Sequence, residues 1–120
     1  MGLQGSAEAI ETYKNRLEKI QAGIGEDGLV QHAQALQQFF SHTLWEQLTQ
    51  AELSQQAQWD AVLTELHRDM RLFLLDVNFV QAASQGQSRQ LRLEKLSSRI
   101  GRLQEFATVL GSLLADEDTT

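Results

Sequence analysis

The side chains best suited to metal or phosphotransfer chemistry are His32, His42 and His67, because the chain contains no cysteine. A histidine phosphotransfer domain needs a lysine and a glycine soon after its histidine, and neither His32 nor His67 is followed in this way. A di-iron bundle needs Glu-x-x-His pairs on two helices, and no glutamate stands three residues before a histidine. His42 and Glu46 are spaced i, i+4, but one such pair does not make a metal site. The sequence therefore predicts no enzyme, no metal site and no cofactor.

A basic stripe near the C-terminus is the first candidate binding surface. Its cations recur at steps of three, four and three residues, which places them on one face of a helix. The same face continues into Phe106, so it changes from cationic to apolar. We predict that this stripe docks an acidic peptide or protein surface. The alternative is a solvated flank whose arginines either snorkel over the core or pair with acids of the first helix, Glu8, Glu11 and Glu18. The predicted binding residues of the stripe are Arg92, Lys95, Arg99, Arg102 and Phe106.

A second apolar face on the third predicted helix is the other candidate surface. It lies two residues, or about 200°, around the helix from a first apolar row that begins at Met70. Coverage by the remaining helices and exposure to another chain, including a second copy, both remain open. The candidate partner-binding residues of this face are Leu72, Leu75 and Phe79. Asp76 interrupts this apolar stretch, and because a buried carboxylate requires a partner we expect an arginine beside it.

Four segments with helical periodicity must position these surfaces, at about 6–23, 28–47, 50–84 and 88–115. Glycines at 23, 25 and 28 separate the first two segments, a connection near 46–50 separates the next two, and 84–88 is the clearest break. In the last two segments apolar residues recur every 3.5 positions, the seam of a left-handed bundle. Short connections make neighbouring helices antiparallel. We therefore predict an all-α, elongated up-and-down bundle of about four antiparallel helices.

Composition and charge narrow the function further. The 120 residues suit one domain, predicted as a flexible tail 1–5, a bundle 6–115 and an acidic tail 116–120. A net charge of -6 disfavours nucleic acid as a partner. The longest apolar run, 72–75, is far shorter than the ~20 residues of a membrane span, so we predict no membrane segment. The first residues lack a signal-peptide pattern, which makes a cytoplasmic protein the expectation.

Three blocks of the sequence resemble the cyanobacterial PatD family. They are LQQFF at 36–40, MRLFLLDVNFVQAA at 70–83 and RLEKLSSRI at 92–100. The resemblance covers roughly residues 30 to 110 and depends mainly on the 70–83 block. It implies a small helical heterocyst frequency control protein that binds the tubulin-like division protein FtsZ and affects its assembly. The resemblance brings no catalytic residues. In a unicellular source, which makes no heterocysts, only the division role would apply.

The sequence thus leads to a non-enzymatic regulator of cell division or heterocyst differentiation. We expect docking onto FtsZ through the basic stripe, because FtsZ-type proteins are generally acidic and a cationic edge speeds encounter. The rival hypothesis is a structural module that self-associates as a homodimer, or an adaptor bundle of an unrelated pathway. In that case the basic stripe would be solvated surface.

Overall fold

The computed structural model describes residues 3–83 and 86–118, and these residues form four long helices without a strand. The second helix runs unbroken over 29–50 but changes type along its length. It is α-helical over Leu29–Phe39, π-helical over Phe40–Leu44 and α-helical again over Trp45–Gln50. We number the four helices α1 (Leu3–Ala22), α2 (29–50), α3 (Gln56–Ala82) and α4 (Gly86–Asp118).

The π-helical turn in α2 corrects the phase of its apolar stripe. Leu36, Phe40, Leu44 and Leu48 are all buried, although they follow one another at steps of four. In an α-helix each step of four residues turns by about 400°, so three steps would carry the stripe about 120° off the core. A π-turn holds roughly one residue more than an α-turn, which removes most of this drift. The four-residue spacing of these buried side chains therefore explains why the helix has a π-turn at Phe40–Leu44.

Contacts between the helices give the up-and-down order. Asp69 of α3 meets Arg102 of α4, and Asp76 meets Arg99, so residue numbers rise along one helix and fall along the other. The Ser6 hydroxyl of α1 donates to the Gln47 carbonyl of α2, and the Tyr13 ring centroid lies 5.9 Å from that of Phe40, so α1 and α2 are antiparallel in the same way. The described residues span 52 × 21 × 19 Å. The predicted elongated all-α bundle is therefore confirmed.

The core is built from the predicted seams. On α3 every seam residue is buried, and on α4 the seam is buried from Leu96 to Leu114. Two polar groups inside the core have partners. The Tyr13 hydroxyl donates to Sδ of Met70 at 3.4 Å, and Nε1 of Trp59 donates to the Leu48 carbonyl at 2.9 Å. The buried α3 residues are Trp59, Leu63, Leu66, Met70, Phe73, Val77 and Val80.

The helix ends differ from the predicted boundaries. α2 continues to Gln50, and the connection to α3 lies at 51–55, where buried Ala51 and Leu53 turn the chain back into the core. α4 begins at Gly86, inside the predicted break, while residues 84 and 85 lie outside the described residues. Gly28, at the start of α2, has a φ of 95°, a conformation that favours glycine.

Part of each predicted tail is helical. α1 begins at Leu3, and α4 runs to Asp118; residues 1, 2, 119 and 120 lie outside the described part of the chain. Near its end, the Glu117 carboxylate accepts a hydrogen bond from the backbone N–H of Ser54. This bond lowers the pKa of Glu117 and ties the last turn of α4 to the connection before α3. The acidic segment is therefore helical as far as 118.

Candidate functional site

Two of the four cations of the predicted basic stripe are paired inside the molecule. Nε of Arg99 donates to Oδ2 of Asp76 at 3.0 Å, and its Nη1 lies 3.4 Å from Oδ1 of Asp69. Nε of Arg102 donates to Oδ2 of Asp69 at 2.8 Å. The hydrogen bond that Arg102 donates to Asp69 and the negative charge of Asp69 both raise the pKa of Arg102. The side chains of Asp69 and Asp76 are only 1% and 5% exposed, so this network belongs to the α3–α4 interface.

This network confirms the arginine expected beside Asp76. It also pairs Arg99, which the sequence assigned to the docking stripe, with acids of the same chain. The Arg99 side chain is 17% exposed and faces two buried carboxylates, so its charge is compensated within the bundle. The acids that compensate it lie on α3, and not on α1, where the alternative hypothesis placed them. Reversing Arg99 to glutamate would put three acids together in the interface. Such a variant would destabilise the fold, so a loss of partner binding could not be attributed to the docking surface.

The other stripe residues have different surroundings. The guanidinium carbon of Arg92 lies 4.5 Å from the centroid of the Phe79 ring, a cation–π contact between α4 and α3. Lys95 is exposed, and among the described residues no ion pair involves it. Phe106 is half-buried against the core, with Arg102 5.5 Å from its ring centroid. Within the described part of the chain, Arg92 and Lys95 are therefore the stripe cations without an ion-paired carboxylate.

The second apolar face of α3 is not covered by the other helices. Leu75 is 50% exposed and Phe79 is 43% exposed, while Leu72 is half-buried. We call these three residues the α3 outer strip. Leu72 and Leu75 line a shallow open groove together with Arg68, Arg71, Leu74 and Asn78. The sequence left open whether the other helices cover this face or leave it exposed. For Leu75 and Phe79 the hypothesis that the other helices cover them is wrong.

Cations flank the α3 outer strip on both sides. Arg68 and Arg71 lie one turn before Leu72 and Leu75 on the same helix, and Arg92 and Lys95 lie on α4. Arg68 has an exposed partner, Glu65, at 3.6 Å, a pair that contributes little. In a chain of net charge -6, the strip is therefore an apolar surface with a local excess of positive charge.

Sequence reasoning did not single out several residues of this region. Asp69 stands seven residues before Asp76, a spacing that returns to the same helix face, and this could have marked it as the second buried acid. Arg71 stands four residues before Leu75, so it could have been placed beside the apolar face. Leu91 is the most exposed large apolar residue described, at 57%, and nothing in the seam pattern marks it.

The histidines do not gather into a site. His67 packs as an aromatic ring, 4.9 Å from the Trp45 ring centroid and 6.4 Å from that of Phe40. His32 and His42 lie exposed on α2. Over 3–83 and 86–118, no three histidine or acidic side chains come close enough together to hold a metal ion. The same residues include no helix with the length and apolar content needed to cross a membrane.

These observations define the chain as an elongated four-helix bundle with an apolar and cationic surface on α3 and α4. Comparisons with family models, with curated proteins and with solved structures gave no match.

Proposed function

We propose that this chain is a non-enzymatic, cytoplasmic regulator of cell division that binds the tubulin-like protein FtsZ and modulates its assembly. In a source that forms heterocysts, the same binding would act on heterocyst differentiation. The proposal is supported by the resemblance of three sequence blocks to the PatD family. The observation that carries it is the α3 outer strip, because Leu72, Leu75 and Phe79 all belong to the 70–83 block on which the resemblance mainly depends.

The strip has the physical properties of a protein-binding surface. Leu75 and Phe79 expose about half of their area to water, and burying such side chains against a partner gains roughly 1–2 kcal/mol each. The cations around them, exposed Arg71 and Lys95 and half-buried Arg92, would attract an acidic partner and speed its association. Because Arg71 and Lys95 are exposed, we expect binding to weaken as the salt concentration rises.

Co-sedimentation with FtsZ polymers tests the proposal directly. The wild-type chain should pellet with FtsZ assembled in the presence of GTP and should stay in the supernatant without FtsZ. Phe79→Ser and Lys95→Glu should each reduce the pelleted fraction while leaving the helical circular dichroism unchanged. Val109→Ser and Lys19→Glu are matched controls, since they alter an exposed apolar residue and an exposed lysine outside the strip. Absence of co-sedimentation would refute FtsZ as the partner.

Self-association is the second candidate function, and the exposure of Leu75 and Phe79 is the observation that favours it. A homodimer that buries these side chains would make the chain a structural module. Light scattering at two protein concentrations separates the two functions, because a chain that stays monomeric at both concentrations does not act through a dimer.

A further inference from the structure

We infer that the α3 outer strip binds an acidic amphipathic helix of the partner, which lies along α3 beside α4. The inference depends on the proposed function for the partner being a protein, and it adds the chemistry and shape of the segment that is bound.

The shape of the strip favours a helix as the bound segment. The strip lies on the outward side of α3, next to the antiparallel α4, and an apolar helix face packs well along such a pair. From Arg68 to Phe79 the surface extends over about 16 Å, or three helical turns, at 1.5 Å per residue. A helix with apolar side chains at i, i+4 and i+7 covers this length. The described residues contain no strand, so none of them offers a sheet edge to an extended peptide.

The charges around the strip favour acids on the bound helix. Arg71 lines the groove beside Leu75, and Arg92 contacts Phe79 from α4. Lys95 follows Arg92 by three residues, which places it on the same face of α4. No carboxylate within ion-pair distance is present for these three cations among the residues described. A helix with glutamates or aspartates on both sides of its apolar face would therefore place opposite charges together along both edges.

Arg92 is the residue we assign to a carboxylate of the bound helix. Its guanidinium carbon already lies 4.5 Å from the Phe79 ring centroid, and among the described residues no hydrogen bond or ion pair uses its N–H groups. These N–H donors therefore remain able to donate to both oxygens of a carboxylate. The contact with Phe79 also restricts the arginine before binding, which reduces the entropy lost when the partner is bound.

The same charges disfavour a second copy of this chain on the strip. In a two-fold symmetric dimer the same surface patch lies on both sides of the interface. Two copies of the strip would bring Arg71, Arg92 and Lys95 of one chain toward those of the other, and like charges across an interface are repelled. The apolar side chains alone would permit a dimer, but the cations at both edges oppose it.

A pair of synthetic peptides tests the inference on the full-length chain. The first is a labelled helix of about 14 residues with leucines at i, i+4 and i+7 and glutamates beside them; the second replaces each glutamate by lysine. In fluorescence anisotropy titrations we expect the acidic peptide to bind at least about tenfold more tightly than the lysine peptide. Phe79→Ser and Lys95→Glu should each weaken binding of the acidic peptide about tenfold or more. Val109→Ser and Lys19→Glu should leave it unchanged.

Equal affinity for the two peptides, or an affinity that Phe79→Ser and Lys95→Glu do not change, would overturn the inference. So would a concentration-dependent dimer that Phe79→Ser converts to a monomer. The result is separable from the test with FtsZ. Binding of the acidic peptide without co-sedimentation would refute the FtsZ proposal and retain the inference, whereas co-sedimentation without peptide binding would refute the inference and retain the proposal.

Discussion

Arg99 and Asp76 are joined by a hydrogen bond of 3.0 Å between Nε and Oδ2, in the interface between α3 and α4. The pair is largely withdrawn from water, with side-chain exposures of 17% and 5%. Asp69 completes the arrangement by contacting both Arg99 and Arg102. The relationship fixes which turn of α3 faces which turn of α4, and it makes Arg99 a structural residue of the bundle.

Substitution of Arg99 by methionine should therefore destabilise the fold. The change leaves Asp76 buried without a cation, and removal of one member of a buried pair costs about 3–5 kcal/mol. Urea unfolding followed by circular dichroism measures the loss. Arg68→Met is the matched control, because it breaks an exposed pair with Glu65 and should cost less than about 1 kcal/mol. Adding Asp76→Leu to Arg99→Met should restore part of the stability; no restoration would show that the lone carboxylate is not the cause.

Trp59→Phe should weaken the junction between α2 and α3. The indole Nε1 donates to the Leu48 carbonyl at 2.9 Å in a fully buried position, so the variant leaves that carbonyl without its donor. The unpaired acceptor costs about 1–3 kcal/mol, in addition to the loss of packing. The free energy of unfolding measured in urea checks this. Trp45→Phe, at a half-buried indole, should cost less, and equal losses would contradict the role of the hydrogen bond.

Tyr13 should make the fold sensitive to alkaline pH. Burial raises the pKa of Tyr13, and the nearby charge of Asp69 raises it further, so the hydroxyl stays protonated in the folded state. The unfolded chain ionises at about pH 10, so the contribution of Tyr13 is complete below that pH and is lost as the pH rises above it, by about 1.4 kcal/mol per pH unit. Urea midpoints of wild type and Tyr13→Phe should diverge between about pH 9 and pH 11, with the wild type falling faster. Parallel curves would contradict this assignment.

Glu117 should give the fold a weak sensitivity to acid. Its hydrogen bond from the Ser54 backbone lowers the pKa of the carboxyl, so the stabilisation is present above the unfolded value of about 4.3 and is lost as the pH falls through the lowered folded value. The melting temperature of Glu117→Gln should lie below that of wild type at neutral pH, and the difference should shrink in acid. Glu52→Gln, an exposed acid in the same connection, is the control for loss of charge alone.

The sequence predicted the helices and the core well because both depend on periodic spacing. The row from Trp59 to Val80 follows the 3.5-residue repeat throughout and is buried throughout. The end of α2 could not be placed, because no glycine or proline marks it. The helix there ends where Ala51 and Leu53 are drawn into the core, and this depends on contacts with other helices.

The candidate site was harder to predict for a physical reason. The row of cations on α4 was correct in its spacing, but spacing on one helix does not show what the neighbouring helix places opposite. Asp69 and Asp76 lie opposite Arg99 and Arg102, so charge that looked available is compensated. The exposure of Leu75 and Phe79 depends on where the other helices pack, and the spacing of residues on one helix does not determine this.

The widened turn at Phe40–Leu44 means that α2 contains one amino acid more than a regular α-helix would need to keep Leu36, Phe40, Leu44 and Leu48 on one side. Removing a single exposed position there, such as His42, would bring the four side chains to steps of four, three and four, the ordinary rhythm of an α-helix. A shortened chain of this kind should fold and melt cooperatively, as measured by calorimetry. Removing Ala35 instead would shorten the spacing between buried Ala33 and Leu36 from three residues to two, so Ala33 would no longer lie on the same face of the helix. The π-helical turn is therefore a place in α2 where one residue can be removed while Leu36, Phe40, Leu44 and Leu48 stay on the core side.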